Sequence, residues 1–160
     1  MATITAVHVV LSLLGIGSGF VVMVGLLMAK RLEGWTSLFL ASTLATSLTG
    51  FLFPFHKFLP AHGVGIISLL VLGAAIVGLY ARHTVGAWRW IYVVSAVVAL
   101  YLNVFVLVVQ AFEKVPALKA LAPTQSEPPF LIAQLVVMAL FVVLGVVAVK
   151  RFPIQPVRAT

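Results

Sequence analysis

Residues 88–112 read WRWIYVVSAVVALYLNVFVLVVQAF, a run whose single charge, Arg89, stands at its edge. The run is continuously apolar rather than alternating, and it is more than twice the length of a membrane barrel strand of about 9–11 residues. As a helix rising about 1.5 Å per residue it crosses a hydrocarbon core of roughly 30 Å with length to spare. Four further runs of the same kind flank it, over 4–29, 35–55, 61–82 and 130–149.

Composition agrees. Of 160 residues 63% are hydrophobic and 8% charged, with a mean hydropathy of +1.24. A soluble surface needs about 25% charged residues, so the expected fold class is all-α, a polytopic membrane helix bundle of five transmembrane helices forming one domain over 1–160. The first run follows MATITAVH, which lacks the positive n-region of a signal peptide, and it is read as a retained helix. The breaks fall at 30–34, 54–60, 83–87 and 113–129. The last of these, EKVPALKALAPTQSEPP, carries four of the eight prolines and cannot be one regular helix. A short interfacial segment is expected within it at Pro116–Leu121.

With no cysteine in the chain, disulfides, thiolate metal sites, iron–sulfur clusters and thiol catalysis all drop out. The net charge of +7 does not point to nucleic acid, because the basic residues lie in short clusters between apolar runs rather than along one face. They report topology instead. Lys30, Arg31, Arg82, Arg89, Lys150, Arg151 and Arg158 fall on one side, and Lys57, Lys114 and Lys119 on the other. Cytoplasmic loops carry the excess, which predicts the N-terminus outside and the C-terminus inside. Five crossings put the ends on opposite sides, as this requires. Trp35, Trp88, Trp90 and Tyr92 sit near the predicted inner boundaries, where amphipathic rings are favoured.

Polar groups within the runs are the local clues to chemistry, because each needs a partner in lipid. His8, Ser12, Gly15 and Gly19 share one face of the first helix, and His62, Ile66, Leu69 and Gly73 repeat the same offsets on the third. Both helices are expected to run from outside to inside, which puts two histidines near the outer surface, each with a glycine three turns deeper. This pattern suits a b-type haem with His8 and His62 as axial ligands and Gly15, Gly19 and Gly73 making room for the porphyrin. The plainer reading is that Gly15 and Gly19 form a G-x-x-x-G packing seam. His56 shares the outer turn, and with His8, His62 and the carboxylate of Glu113 at the outer end of the fourth helix it makes a candidate transition-metal set, although no pair has i, i+4 spacing. His83, beside Arg82 and Arg89, is read as facing headgroups.

The fourth helix carries Tyr92, Ala96, Ala99, Asn103 and Gln110 on one face. Asn103 lies near mid-membrane, where an interhelical hydrogen bond or a bound polar group must satisfy it. A quinone would need a donor such as Asn103, Tyr101 or His62 lining an apolar cleft open to lipid. The hydroxyls of ASTLATSLTG (41–50) are expected to bond back to carbonyls one turn earlier. No span holds an acidic residue, which argues against proton- or cation-coupled transport.

The segments TGFLFPFHKFLPAHG, GAWRWIYV, ALYLNVFVLVVQAF and PALKALAPTQSEPPF resemble those of small uncharacterised bacterial inner-membrane proteins with five spans. That resemblance covers most of the chain and implies a multi-pass protein of the bacterial cytoplasmic membrane, with no activity attached. Size and span count are also similar to the tryptophan-rich sensory proteins that bind porphyrins, but their Trp- and Pro-rich early loop is missing. The expectation is an integral membrane subunit holding a flat apolar redox cofactor, haem b or quinone, near the outer face, with no catalytic residue assigned. It would work within the lipid bilayer, as a homo-oligomer or in a larger membrane complex. The alternative is a homo-oligomeric scaffold or small-solute permeation protein without a cofactor.

Overall fold

The computed structural model describes residues 2–53 and 60–153. Among these the structure is helical, with α1 (Ala2–Leu27), α2 (Glu33–Gly50), α3 (Pro60–Ile76), α4 (Ala87–Lys114), α5 (Pro116–Leu121) and α6 (Pro128–Arg151). A π-helical turn, Val77–Ala81, continues α3. The stretches Thr3–Leu27, His62–Ala81, Ala87–Lys114 and Pro128–Arg151 are long and apolar enough to cross a membrane. At 18 residues α2 extends about 27 Å, but seven of those residues are Ser or Thr, which keeps its hydropathy below that of the other four. The proline-rich break forms the short helix α5 at the expected residues, with Pro116 opening it where a missing N–H costs nothing.

Hydrogen bonds fix which ends meet. Arg31 Nη2 donates to Thr84 Oγ1 at 2.9 Å, Arg89 Nη1 donates to Val149 O and Phe152 O at 2.7 Å each, and Arg151 Nη1 donates to Leu27 O at 3.3 Å. The turn after α1, the turn before α4 and the last turn of α6 thus share one end. It carries Lys30, Arg31, Arg82, Arg89, Lys150 and Arg151 and is called the basic end below. At the opposite, histidine end His8 meets Thr49, and Phe112 packs edge-on against Phe130 with ring centroids 5.4 Å apart. Helices α1, α3 and α6 run toward the basic end, and α2 and α4 run away from it.

α1 packs on α2, α2 on α3, α3 on α4 and α4 back on α1, while α6 covers the α4 and α1 side. The main core, built on Met23, Leu26, Phe39, Leu72, Val93 and Leu100, lies toward the basic end. Phe112, Ala122 and Phe130 form a second, smaller cluster that closes α4, α5 and α6 at the other end. The outer face of α6 is apolar and bare, with Val136 at 62% and Ile132 at 59% exposure. Such a surface matches lipid, where helices gain nothing by hiding apolar side chains from the solvent.

The basic end also concentrates unusual backbone. Ala29, His83 and Thr84 adopt left-handed φ values of 57°, 48° and 56°, a conformation that L-residues avoid by roughly 1 kcal/mol or more. The π turn brings Gly78 so near α4 that a Cβ there would stand 3.2 Å from Tyr92 Cβ and 3.4 Å from Trp88 O.

Candidate functional site

Each of the two histidines is engaged by the C-terminal turn of α2. His8 Nδ1 lies 2.9 Å from Thr49 Oγ1, and Thr49 donates its own proton to Ala45 O at 2.8 Å. Thr49 therefore accepts, so His8 carries its N–H on Nδ1 and presents a lone pair at Nε2. The His8 ring stands edge-on to Phe53 at 5.3 Å, and Gly50 leaves it space, since a Cβ there would come 3.7 Å from Cε1. His62 is buried and lies 6.1 Å from the ring of Phe51. α2 packs on both α1 and α3, and the two imidazoles meet different aromatics of the segment that follows it, His8 facing Phe53 and His62 facing Phe51. Gly73 faces open space, with nothing within 4 Å of a Cβ built on it, and Ile66 on the same line is 45% exposed. Beyond His62, which is buried, Ile66 and Gly73 on that line of α3 are exposed, and the inward face is Ser68, Leu72 and Ala75. Among the described residues no three His, Cys, Asp or Glu come together as a metal site, and His56 lies outside the described residues.

Gly15 and Gly19 make a seam within the chain. A Cβ on Gly15 would stand 3.0 Å from Thr43 Oγ1 and 3.4 Å from both Asn103 Nδ2 and Ser42 Oγ. Asn103 Nδ2 donates to Thr43 Oγ1 at 3.0 Å, which is the interhelical bond its depth demands. Ser12, Ser18, Ser42, Ser47 and Thr49 all donate to carbonyls one turn back. Thr46 Oγ1 is buried beside them with no partner among the described residues. The seam is packed and polar, with Asn103 bonded to Thr43 beside Gly15.

Space opens instead between α4 and α6. A cleft of about 540 Å³ runs from Tyr101 and Met138 at mid-bundle to Lys150 at the basic end, walled by Val94, Val97, Phe141 and Val146. Gly145 lets the helices close at its floor, where an added Cβ would meet Val97 Cγ1 at 3.4 Å. Tyr101 stands about midway along α4, with its ring 5.8 Å from Phe141 and 6.2 Å from Phe105. Tyr101 contributes to the lining of the cleft, which is almost wholly apolar, and its hydroxyl makes no hydrogen bond among the described residues. An unpaired hydroxyl in an apolar medium costs about 1–3 kcal/mol by mutational measures.

A comparison with protein families, with curated proteins and with solved structures finds no match to this chain. The site is accordingly read from its own residues. Tyr101 was legible as a donor on an apolar helix, but its partners on α6 were not. Gly145 within an otherwise bulky apolar run was the available signal of close approach there.

Proposed function

We propose that this chain is an integral membrane protein that binds a flat, apolar redox cofactor of the quinone class in the cleft between α4 and α6. The apolar cleft carries this reading, with Tyr101 in its lining and its hydroxyl making no hydrogen bond among the described residues. That hydroxyl would donate to a ring carbonyl while Phe141 lies against the ring and Val94, Val97 and Val146 hold the isoprenoid chain. A bound quinone would supply two-electron, two-proton chemistry. The residues of the chain orient it, exclude water and leave the cleft open to the lipid phase from which it enters. A redox partner in the same membrane is implied, within a larger complex.

Organic extraction of the purified protein should yield quinone at about one per chain. Tyr101→Phe should weaken binding of a short-chain quinone about three- to tenfold, the worth of one hydrogen bond. Recovery of phospholipid alone, or an unchanged affinity in Tyr101→Phe, would overturn the proposal.

One observation favours a second reading, haem b at His8 and His62: the Thr49 contact leaves Nε2 of His8 free as a ligand. Phe51 and Phe53 would have to swing aside for a porphyrin to enter. A Soret band that sharpens and shifts on reduction would support haem, and its absence would remove it.

The same proposal includes five crossings, with α2 as the fifth, in the cytoplasmic membrane of a bacterium. The gathering of six basic side chains at one end supports an N-out, C-in orientation. A reporter joined after Thr160 should be active in the cytoplasm. Activity confined to the periplasmic side would reverse the orientation.

A further inference from the structure

A second cavity, of about 280 Å³, lies at the basic end and shares no lining residue with the cleft. Its mouth is formed by Lys30, Arg31 and Glu33 from the turn between α1 and α2, by Ser37 of α2, by Tyr80 of the π turn and by His83. Leu26, Leu79 and Phe152 line it further in, together with the buried Thr36 and Tyr92, so its inner wall is mostly apolar with two hydroxyls. Residues 53 and 43 apart in sequence are tied here by two contacts. Arg31 donates to the buried Thr84, and Ser37 Oγ lies 3.0 Å from the Tyr80 hydroxyl. The backbone is bent to suit: Ala29, His83 and Thr84 are left-handed, and the π turn rotates Tyr80 toward Ser37. Both kinds of distortion gather at functional sites more than elsewhere.

We infer that this cavity binds a phosphate-bearing anion. Lys30 makes no side-chain hydrogen bond among the described residues and offers three N–H donors. Arg31 spends one nitrogen on Thr84 and keeps the rest of its fork, the His83 ring adds a shorter-range donor, and the Ser37–Tyr80 pair adds one more, since one of its two protons is spent on their mutual bond. Two full cations face one carboxylate, so the mouth is net positive, and Arg82 and Arg89 on the neighbouring turn deepen the field. A tetrahedral oxyanion with three or more acceptor oxygens can use this divergent donor set, whereas a carboxylate would leave most of it unmet. The mostly apolar inner wall suits a ligand whose phosphate is attached to a hydrophobic body. Such an anion can come from the headgroup of a membrane lipid or from a soluble phosphate compound. The site is independent of the quinone proposal.

The test uses the full chain in nanodiscs of phosphatidylcholine, alone or with phosphatidylglycerol, and in the first case with added inorganic phosphate. Thermal unfolding and native mass spectrometry read the binding. Stabilisation by phosphatidylglycerol alone assigns the site to a lipid headgroup, and stabilisation by inorganic phosphate as well assigns it to the phosphate itself. Lys30→Gln, which disturbs no internal contact, should weaken binding about tenfold at low salt, as expected for loss of a charge-assisted hydrogen bond. Arg82→Gln, which removes a charge of the same end from outside the cavity, should change it less than twofold. Tyr80→Phe leaves the charge intact and should cost about threefold. No stabilisation by either probe, or equal losses in Lys30→Gln and Arg82→Gln, would overturn the inference.

Discussion

Gly19→Ile is expected to prevent the bundle from closing. A Cβ at this position would stand 2.5 Å from Leu100 Cδ1 and 2.9 Å from Phe39 Cε2, and both of those side chains are 1% exposed. Neither has room to retreat, because Leu100 and Phe39 belong to the same close-packed core. Overpacking costs about 1–3 kcal/mol for added methylenes in a tight core, and a branched side chain at a helix crossing falls at the top of that range or above it. Thermal unfolding in detergent should show a large drop in midpoint or a loss of folded protein. Gly17→Ile is the internal control, since nothing lies within 4 Å of a Cβ there. Because Leu100 and the new side chain are in direct contact, Leu100→Ala in the Gly19→Ile background should recover part of the loss, a coupling that additive effects would not produce. Should Gly19→Ile keep its stability and change only its oligomeric size, the seam would lie between chains.

The seam was visible in the sequence as a spacing of small residues, but the same spacing could not tell an internal contact from an external one. Boundaries were more legible than faces. The run 88–112 lies within Ala87–Lys114, and Pro116–Leu121 emerged as expected, because charges and prolines act locally on the backbone. Asn103 was also legible: an amide at that depth must have a partner, and Thr43 supplies it. The face of α3 was not. His62, Ile66, Leu69 and Gly73 line up on the helix, yet of these four His62 alone is buried, and the other buried positions are Ser68, Leu72 and Ala75. In lipid both sides of such a helix are apolar, so hydrophobicity carries no sense of direction. The cavity at the basic end stayed hidden for a different reason. Lys30 and Arg31 were fully explained by topology, and only the fold brings them to Ser37, Tyr80 and His83.

Arg89 is expected to hold the last turn of α6 in place, and Arg89→Met should release it. The final carbonyls of a helix have no partner within it. Here the two N–H groups of one Arg89 nitrogen reach Val149 O and Phe152 O at 2.7 Å each. Hydrogen bonds from a charged donor are worth about 1.5–3 kcal/mol apiece, and the half-buried position of Arg89 tempers that value through contact with water. About 2–3 kcal/mol for the pair is therefore expected. Phe152 is 2% exposed and lies 5.8 Å from the ring of Tyr92, so its packing depends on the same anchor. Arg89→Met keeps the length of the apolar stem and removes only the fork, which separates the hydrogen bonds from the packing. Arg89→Lys retains the charge but, as a single flexible point donor, should recover less than half of the loss. Trypsin cutting after Lys150 and Arg151 in nanodiscs should speed up several-fold in Arg89→Met, fall in between for Arg89→Lys, and follow the loss of thermal stability. Equal cutting rates in all three proteins would mean that α6 is held by its packing on α4 alone, with the two carbonyls satisfied by water.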